Sequence, residues 1–250
     1  MITMPRWVRI GIPFSIAFLF AGCTSIASST NSTQANPVNT GNVIFIHPDG
    51  TSPAHWGAAR FLYYGPDRRM NWDRMSNLAI YLGHMKNQLS GTSNAGAITH
   101  ATGVKAPAES FGFDEKGKAI TAASGKSQTI MQEAIAQNYG TAVINSGIIS
   151  EPGSSAFLAR VNNRRQHAEI TKQMVESGVD VILGGGEVWY LPKGKAGRHA
   201  TAKQSRRTDN VNLIELAKSK GYTIVYTRDE LLNLPKGTQK VIGIFAVEDT

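Results

Sequence analysis

The sequence predicts an α/β protein built on a doubly wound, mostly parallel sheet with helices on both faces. From Asn42 onward, short continuous apolar runs typical of doubly buried strands alternate with amphipathic segments of helical period. Strands joined through helices of this length form right-handed crossovers and therefore parallel neighbours. After residue 41 there is no internal repeat and no long linker, so residues 42–250 read as one domain.

In chain order, NVIFIH (Asn42–His47) reads as a buried strand, PDGTS as the turn after it and PAHWGAARFLYY as a helix. GTSNAGAITHATGVK, Gly91 to Lys105, carries almost no bulky side chains. Small residues let a helix pack closely, and they also let backbone N–H groups crowd an anion beside a hydroxyl; both readings stay open at this point. A helix is expected from Asn94 to about Thr102, with Ser93 at its start. Then follow SQTIMQEAIAQN as helix and GTAVIN as strand, RRQHAEITKQMVES with VDVILGGG, NVNLIELAKSKG with YTIVYT, and RDELLNL with KVIGIFA.

Upstream, a short basic start and an apolar run from Ile10 to Ala21 have the build of an export signal, too short to span a membrane. Ala21-Gly22-Cys23 resembles the lipobox of bacterial lipoproteins, with Phe20 where Leu is usual; ordinary cleavage nearby is the alternative. The expected organisation is a lipoprotein-type signal over 1–22, a Ser/Thr/Asn-rich tether over 23–41 and the folded domain over 42–250. Cys23 is the only cysteine, so the domain has no internal disulfide. These features predict an exported protein, periplasmic or outer-membrane-anchored through lipid on Cys23.

The net charge is +8, and without residues 1–22 the balance is 24 Lys+Arg against 18 Asp+Glu. Such an excess suits an anionic ligand. The one dense basic run, Lys193 to Arg207, lacks interleaved aromatics and reads as a solvated loop, so no nucleic-acid partner is expected.

In parallel sheets, chemistry collects beyond the carboxyl ends of strands. Asp49 follows the first predicted strand, Glu151 the second, and Arg164 and Arg165 come soon after. Singly, these suit a turn or cap residue, a loop carboxylate and a solvated helix start. Together with the hydroxyl-bearing small-residue segment they suggest hard oxygen ligands for a metal, a hydroxyl nucleophile and a guanidinium fork for phosphate.

NVIFIHPDG, SNAGAITHATGVK, VINSGIISEPGSSAFLARVNNRR, VDVILGGG, GYTIVYTRDEL and GIFA occur in an order that resembles the bacterial alkaline phosphatases, from about Asn42 to the last residue. The resemblance implies a phosphomonoesterase with two zinc ions and one magnesium ion, and a serine that is phosphorylated and then hydrolysed. Small-molecule phosphate monoesters are the implied substrates, and dimers are frequent in the family, although the sequence does not fix the oligomeric state. Aligned on ATGVK, Ser93 falls on the nucleophile, which is also a metal ligand, and Asp49 on the carboxylate bridging zinc and magnesium. Glu151 falls on a magnesium-site position, Gly153 on a neighbouring Thr ligand and Arg164 on the phosphate-clamping arginine. The usual Asp-Ser-Ala signature reads Thr92-Ser93-Asn94 here, which keeps the nucleophile and loses the Asp that steadies the arginine. His100, two helical turns beyond Ser93, is expected to be structural.

In similar enzymes the remaining zinc ligands lie in the second half of the chain, and after Glu151 the only histidines here are His167 and His199. The sequence stops at GIFAVEDT, after an apolar strand and before a covering helix. Residues 42–250 are therefore expected to form the N-terminal part of the domain, incomplete at the C-terminus, and to be inactive or nearly so alone. Two rival functions remain. One is a phosphodiesterase or sulfatase of the same metal-hydrolase group, against which Arg164 argues; the other is a non-catalytic phosphate-binding surface lipoprotein.

Overall fold

The computed structural model describes residues 41–250. The signal segment, Cys23 and most of the tether lie outside the described residues. By its internal contacts the chain divides after Phe45, and Ile46–Thr250 forms one compact unit.

This unit holds a sheet of four parallel strands, β1 (Ala142–Ile148), β2 (Val181–Gly185), β3 (Thr223–Val225) and β4 (Val241–Ile244), in the order β1-β2-β4-β3. The helices are α1 (Pro53–Tyr63), α2 (Ser93–Thr102), α3 (Ile130–Ala136), α4 (Pro152–Ser155), α5 (His167–Glu176), α6 (Leu213–Ser219) and α7 (Arg228–Leu232). From β1 to β3 the chain advances across the sheet, and the step from β3 to β4 turns back. Right-handed crossovers in opposite directions lie on opposite faces, so the reversal gives the doubly wound arrangement expected from the sequence. In agreement, α5 and α6, from the advancing crossovers, pack on each other.

Burial drives this arrangement. All four β4 residues are buried, as a strand flanked by neighbours on both edges requires. Ile242, Ile244 and Ile182 join Ile170, Met174 and Leu213 from the helices in one core, and each such side chain contributes about 1.5–3 kcal/mol by leaving water. Thr129 caps α3 and Asn212 caps α6 through side-chain oxygens that accept first-turn N–H groups.

Two local features shape the strand ends. The β1–β2 register slips between Ile144 and Ile148, so a bulge over Asn145–Gly147 redirects the chain just before Glu151. Segment 248–250 crosses the ends of β1 and β2: Asp249 accepts the Ile148 N–H at 3.1 Å, and a β-carbon at Gly185 would lie 1.8 Å from the Glu248 carbonyl oxygen. Only glycine fits there.

One expected element is not found. Asn42–His47 pairs with no strand among the described residues, and Val43 and Ile44 are 85% and 82% exposed. An apolar run reports the environment a strand needs, whereas a strand exists only through the partner that supplies its ladder. The basic run also departs from expectation at its end. Arg207 is fully buried, bonded to the Asp209 carboxylate at 2.8 and 2.7 Å and to the carbonyls of Ala168 and Trp189, whereas Lys193–Gly197 is exposed as expected.

Candidate active site

The small-residue segment becomes α2, and its close packing is as the small side chains suggest. Ala95, Ala97 and Ala101 are buried with Ile98 on one side of the helix. Ser93, Gly96 and His100, spaced by three and four residues, share the other side, where a β-carbon on Gly96 would meet nothing within 4 Å. The helix stops at Gly103, whose φ of 72° is the left-handed conformation that closes a helix C-terminus.

Ser93 is the first residue of α2, one position earlier than expected for the helix start. No side chain caps this end: the Thr92 hydroxyl donates instead to the Ala108 carbonyl. Asn94 donates to the Ser110 carbonyl at 3.0 Å. The two departures from the usual signature thus tie the start of α2 to segment 108–110. No side chain takes up its first N–H groups, and the positive end of the helix dipole favours an anion there.

Asp49 reaches Ser93 from its loop, and the Ser93 hydroxyl donates to its Oδ1 at 3.4 Å. Glu151 precedes α4, with Pro152 at the first helical position, and its Oε2 receives Arg164 Nη2 at 2.7 Å. Ser150 bonds His167 Nδ1 at 2.9 Å, which joins the Glu151 turn to the helix after Arg164. Burial first of all lowers the His167 pKa, with Glu151 opposing the shift. The expected residues therefore form two pairs, Ser93 with Asp49 and Arg164 with Glu151, while Arg165 stays outside them. The His47 ring lies 3.8 Å from where a Gly153 β-carbon would stand.

The oxygen donors are of the hard kind that divalent cations take. Asp49, Ser93 and Glu151 supply oxygens of that kind, in two separate pairs, and Gly153 supplies no ligand. Among the described residues no three His, Cys, Asp or Glu side chains converge on one point. His199 spends Nε2 on the carbonyls of Ile244 (3.0 Å) and Tyr226 (3.3 Å), and His167 faces Ser150, so neither forms a ligand pair.

Glu187 has a role the sequence reading missed. It follows β2 as a fully buried carboxylate that accepts the backbone N–H groups of Arg198, His199 and Ala200 at 2.8, 2.7 and 2.6 Å. It thereby pins the basic loop across the carboxyl ends of the strands. The available signal was a lone acid directly after GGG at a strand end. An open cleft of about 1010 Å³ beside it is lined by Arg198, Lys203, Arg206 and Glu248 and includes none of the expected site residues.

An alkaline phosphatase family model matches residues 40–250. The chain belongs to the alkaline phosphatase family. Alkaline phosphatase H of Pseudomonas aeruginosa (strain UCBPP-PA14) is 26% identical over 175 residues, which is 62% of this chain and 33% of that protein. The alkaline phosphatase of the Antarctic bacterium TAB5 superposes with a TM-score of 0.61 at 20% identity over 77% of this chain and 50% of its own. The cold-active alkaline phosphatase of a psychrophilic Shewanella gives 0.62 at 25% identity over 80% and 45%. The chain thus spans a third to a half of the alkaline phosphatases it matches. A histidine-to-aspartate mutant of the TAB5 enzyme has Mg bound in its M3 site.

Proposed function

We propose that this chain carries the nucleophile-bearing part of a metal-dependent phosphomonoesterase that works through a phosphoserine. The observation that carries the reading is Ser93 Oγ at the first turn of an uncapped ten-residue helix, 3.4 Å from the Asp49 carboxylate. The substrate phosphate rests against the free N–H groups of α2. Arg164, steadied through Nη2 by Glu151, holds two non-bridging oxygens with its remaining donors. Ser93 Oγ bonds phosphorus as the ester P–O bond breaks and the leaving oxygen takes up a proton. Water then cleaves the phosphoserine, releasing inorganic phosphate and restoring the hydroxyl. Asp49, Ser93 and Glu151 would hold zinc and magnesium, and a bound divalent cation neutralises developing charge and eases ionisation of the hydroxyl.

Because no three His, Cys, Asp or Glu side chains converge among the described residues, slow turnover is expected. The substrates in this reading are small phosphate monoesters, and the protein is exported with lipid on Cys23. The test is to add zinc and magnesium, then follow inorganic-phosphate binding by calorimetry and hydrolysis of nitrophenyl phosphate. Phosphate binding and slow Ser93-dependent monoester cleavage support the proposal. Faster cleavage of a phosphodiester or sulfate ester than of the monoester overturns it.

A further inference from the structure

From residue 41 to 51 every residue is exposed except His47, which is half-buried. Two residues before Asp49, His47 Nδ1 lies 3.1 Å from His100 Nδ1, with the rings edge to face at 5.0 Å between centroids. His100 stands on the same side of α2 as Ser93, seven residues along. The loop therefore runs antiparallel to the helix, His47 meeting His100 as Asp49 meets Ser93. On its other side His100 is covered by Tyr81, at 5.0 Å between ring centroids, and Lys105 lies over the Tyr81 ring. A β-carbon at 153 would make ordinary van der Waals contact with the His47 ring, at 3.8 Å. Burial, then His47 and Lys105, push the His100 pKa down, which favours a neutral His100 imidazole.

We propose that the His47–His100 hydrogen bond is the clamp that holds Asp49 over Ser93, which makes both histidines positioning residues for the nucleophile. The proposal rests on the phosphatase reading of Ser93. Apolar side chains could fill the same space, but only a directional bond fixes where the loop stops along the helix.

Nitrogen-15 histidine NMR on the full chain, before and after zinc and magnesium are added, reads the bond directly. A scalar coupling between the two Nδ1 nuclei under both conditions is expected. Its absence, or its loss when zinc binds, overturns the clamp, the latter because the pair would then be a metal chelate. The functional readout is the rate of Ser93 phosphorylation by nitrophenyl phosphate beside the affinity for inorganic phosphate. His47→Asn places an amide where Nδ1 stood and should keep most of the rate. His47→Gln reaches instead toward the former Nε2 and should slow phosphorylation about tenfold with phosphate affinity retained, as loss of alignment predicts. A wild-type rate in His47→Gln overturns the clamp. A wild-type chain with the coupling and no phosphorylation overturns the phosphatase reading and leaves the hydrogen-bonded clamp standing.

Discussion

Arg164 and Glu151 meet at 2.7 Å, the guanidinium Nη2 donating to Oε2, with both side chains about a third exposed. In the resemblance drawn from sequence, an Asp before the nucleophile steadies this arginine, and Thr92 stands there instead. Glu151 supplies a carboxylate from a different element, and the bond uses one fork nitrogen, leaving the others for an anion.

Removing this fork should weaken phosphate binding. Arg164→Ala is expected to cost about 1.5–3 kcal/mol of inorganic-phosphate affinity, the scale of a charge-assisted hydrogen bond. Glu151→Gln keeps the guanidinium and removes its charged partner, so without added metal the loss should be smaller. Calorimetric titration of both variants with phosphate checks the order; a larger loss in Glu151→Gln would contradict it.

Ser93 and Thr92 are adjacent hydroxyls with opposite fates. Ser93 faces Asp49, whereas the Thr92 hydroxyl is spent on the Ala108 carbonyl. Ser93→Ala should abolish the phosphoenzyme trapped by acid quench and read by mass spectrometry, and Thr92→Ala should retain it. The reverse pattern would shift the nucleophile by one residue.

The anchoring reading rests on Ala21-Gly22-Cys23 behind the apolar run. Mass spectrometry of the membrane fraction should find a mature N-terminus at Cys23 carrying lipid, and Cys23→Ala should release the protein from membranes. An unmodified N-terminus beyond Cys23 would sink this expectation.

Glu187 holds three backbone N–H groups without exposure to water. Glu187→Ala strands those donors and should lower unfolding stability by about 3 kcal/mol or more, since each buried donor left unmatched costs roughly 1–3 kcal/mol. Urea denaturation measures this. A loss under about 1 kcal/mol would mean the loop rearranges to satisfy its own backbone.

Tyr222 donates its hydroxyl to the Val179 carbonyl, and burial followed by the nearby Asp180 raises its pKa from 10.0 to about 12. A group whose folded pKa is raised keeps its stabilising effect below the unfolded value and loses it as pH climbs through the folded one. Stability should therefore fall between pH 10 and about 12. The thermal midpoint should decline across this window in the wild type and decline less in Tyr222→Phe, which has no phenol to ionise.

The sequence by itself determined the elements that local chemistry governs. Apolar runs and helical periods located β1 to β4 and the helices between them, because burial on both faces leaves no polar alternation in a strand and one wet side leaves a clear period in a helix. Alignment on ATGVK singled out Ser93, Asp49, Glu151 and Arg164. Pairing was decided only in three dimensions. No local pattern says that the first apolar run lacks a ladder partner among the described residues, that Glu151 faces Arg164, that the Thr92 hydroxyl turns to Ala108, or that His100 meets His47 across 53 positions. A hydrogen bond or strand ladder is a relation between two segments, and its geometry exists only once the rest of the chain has brought them together.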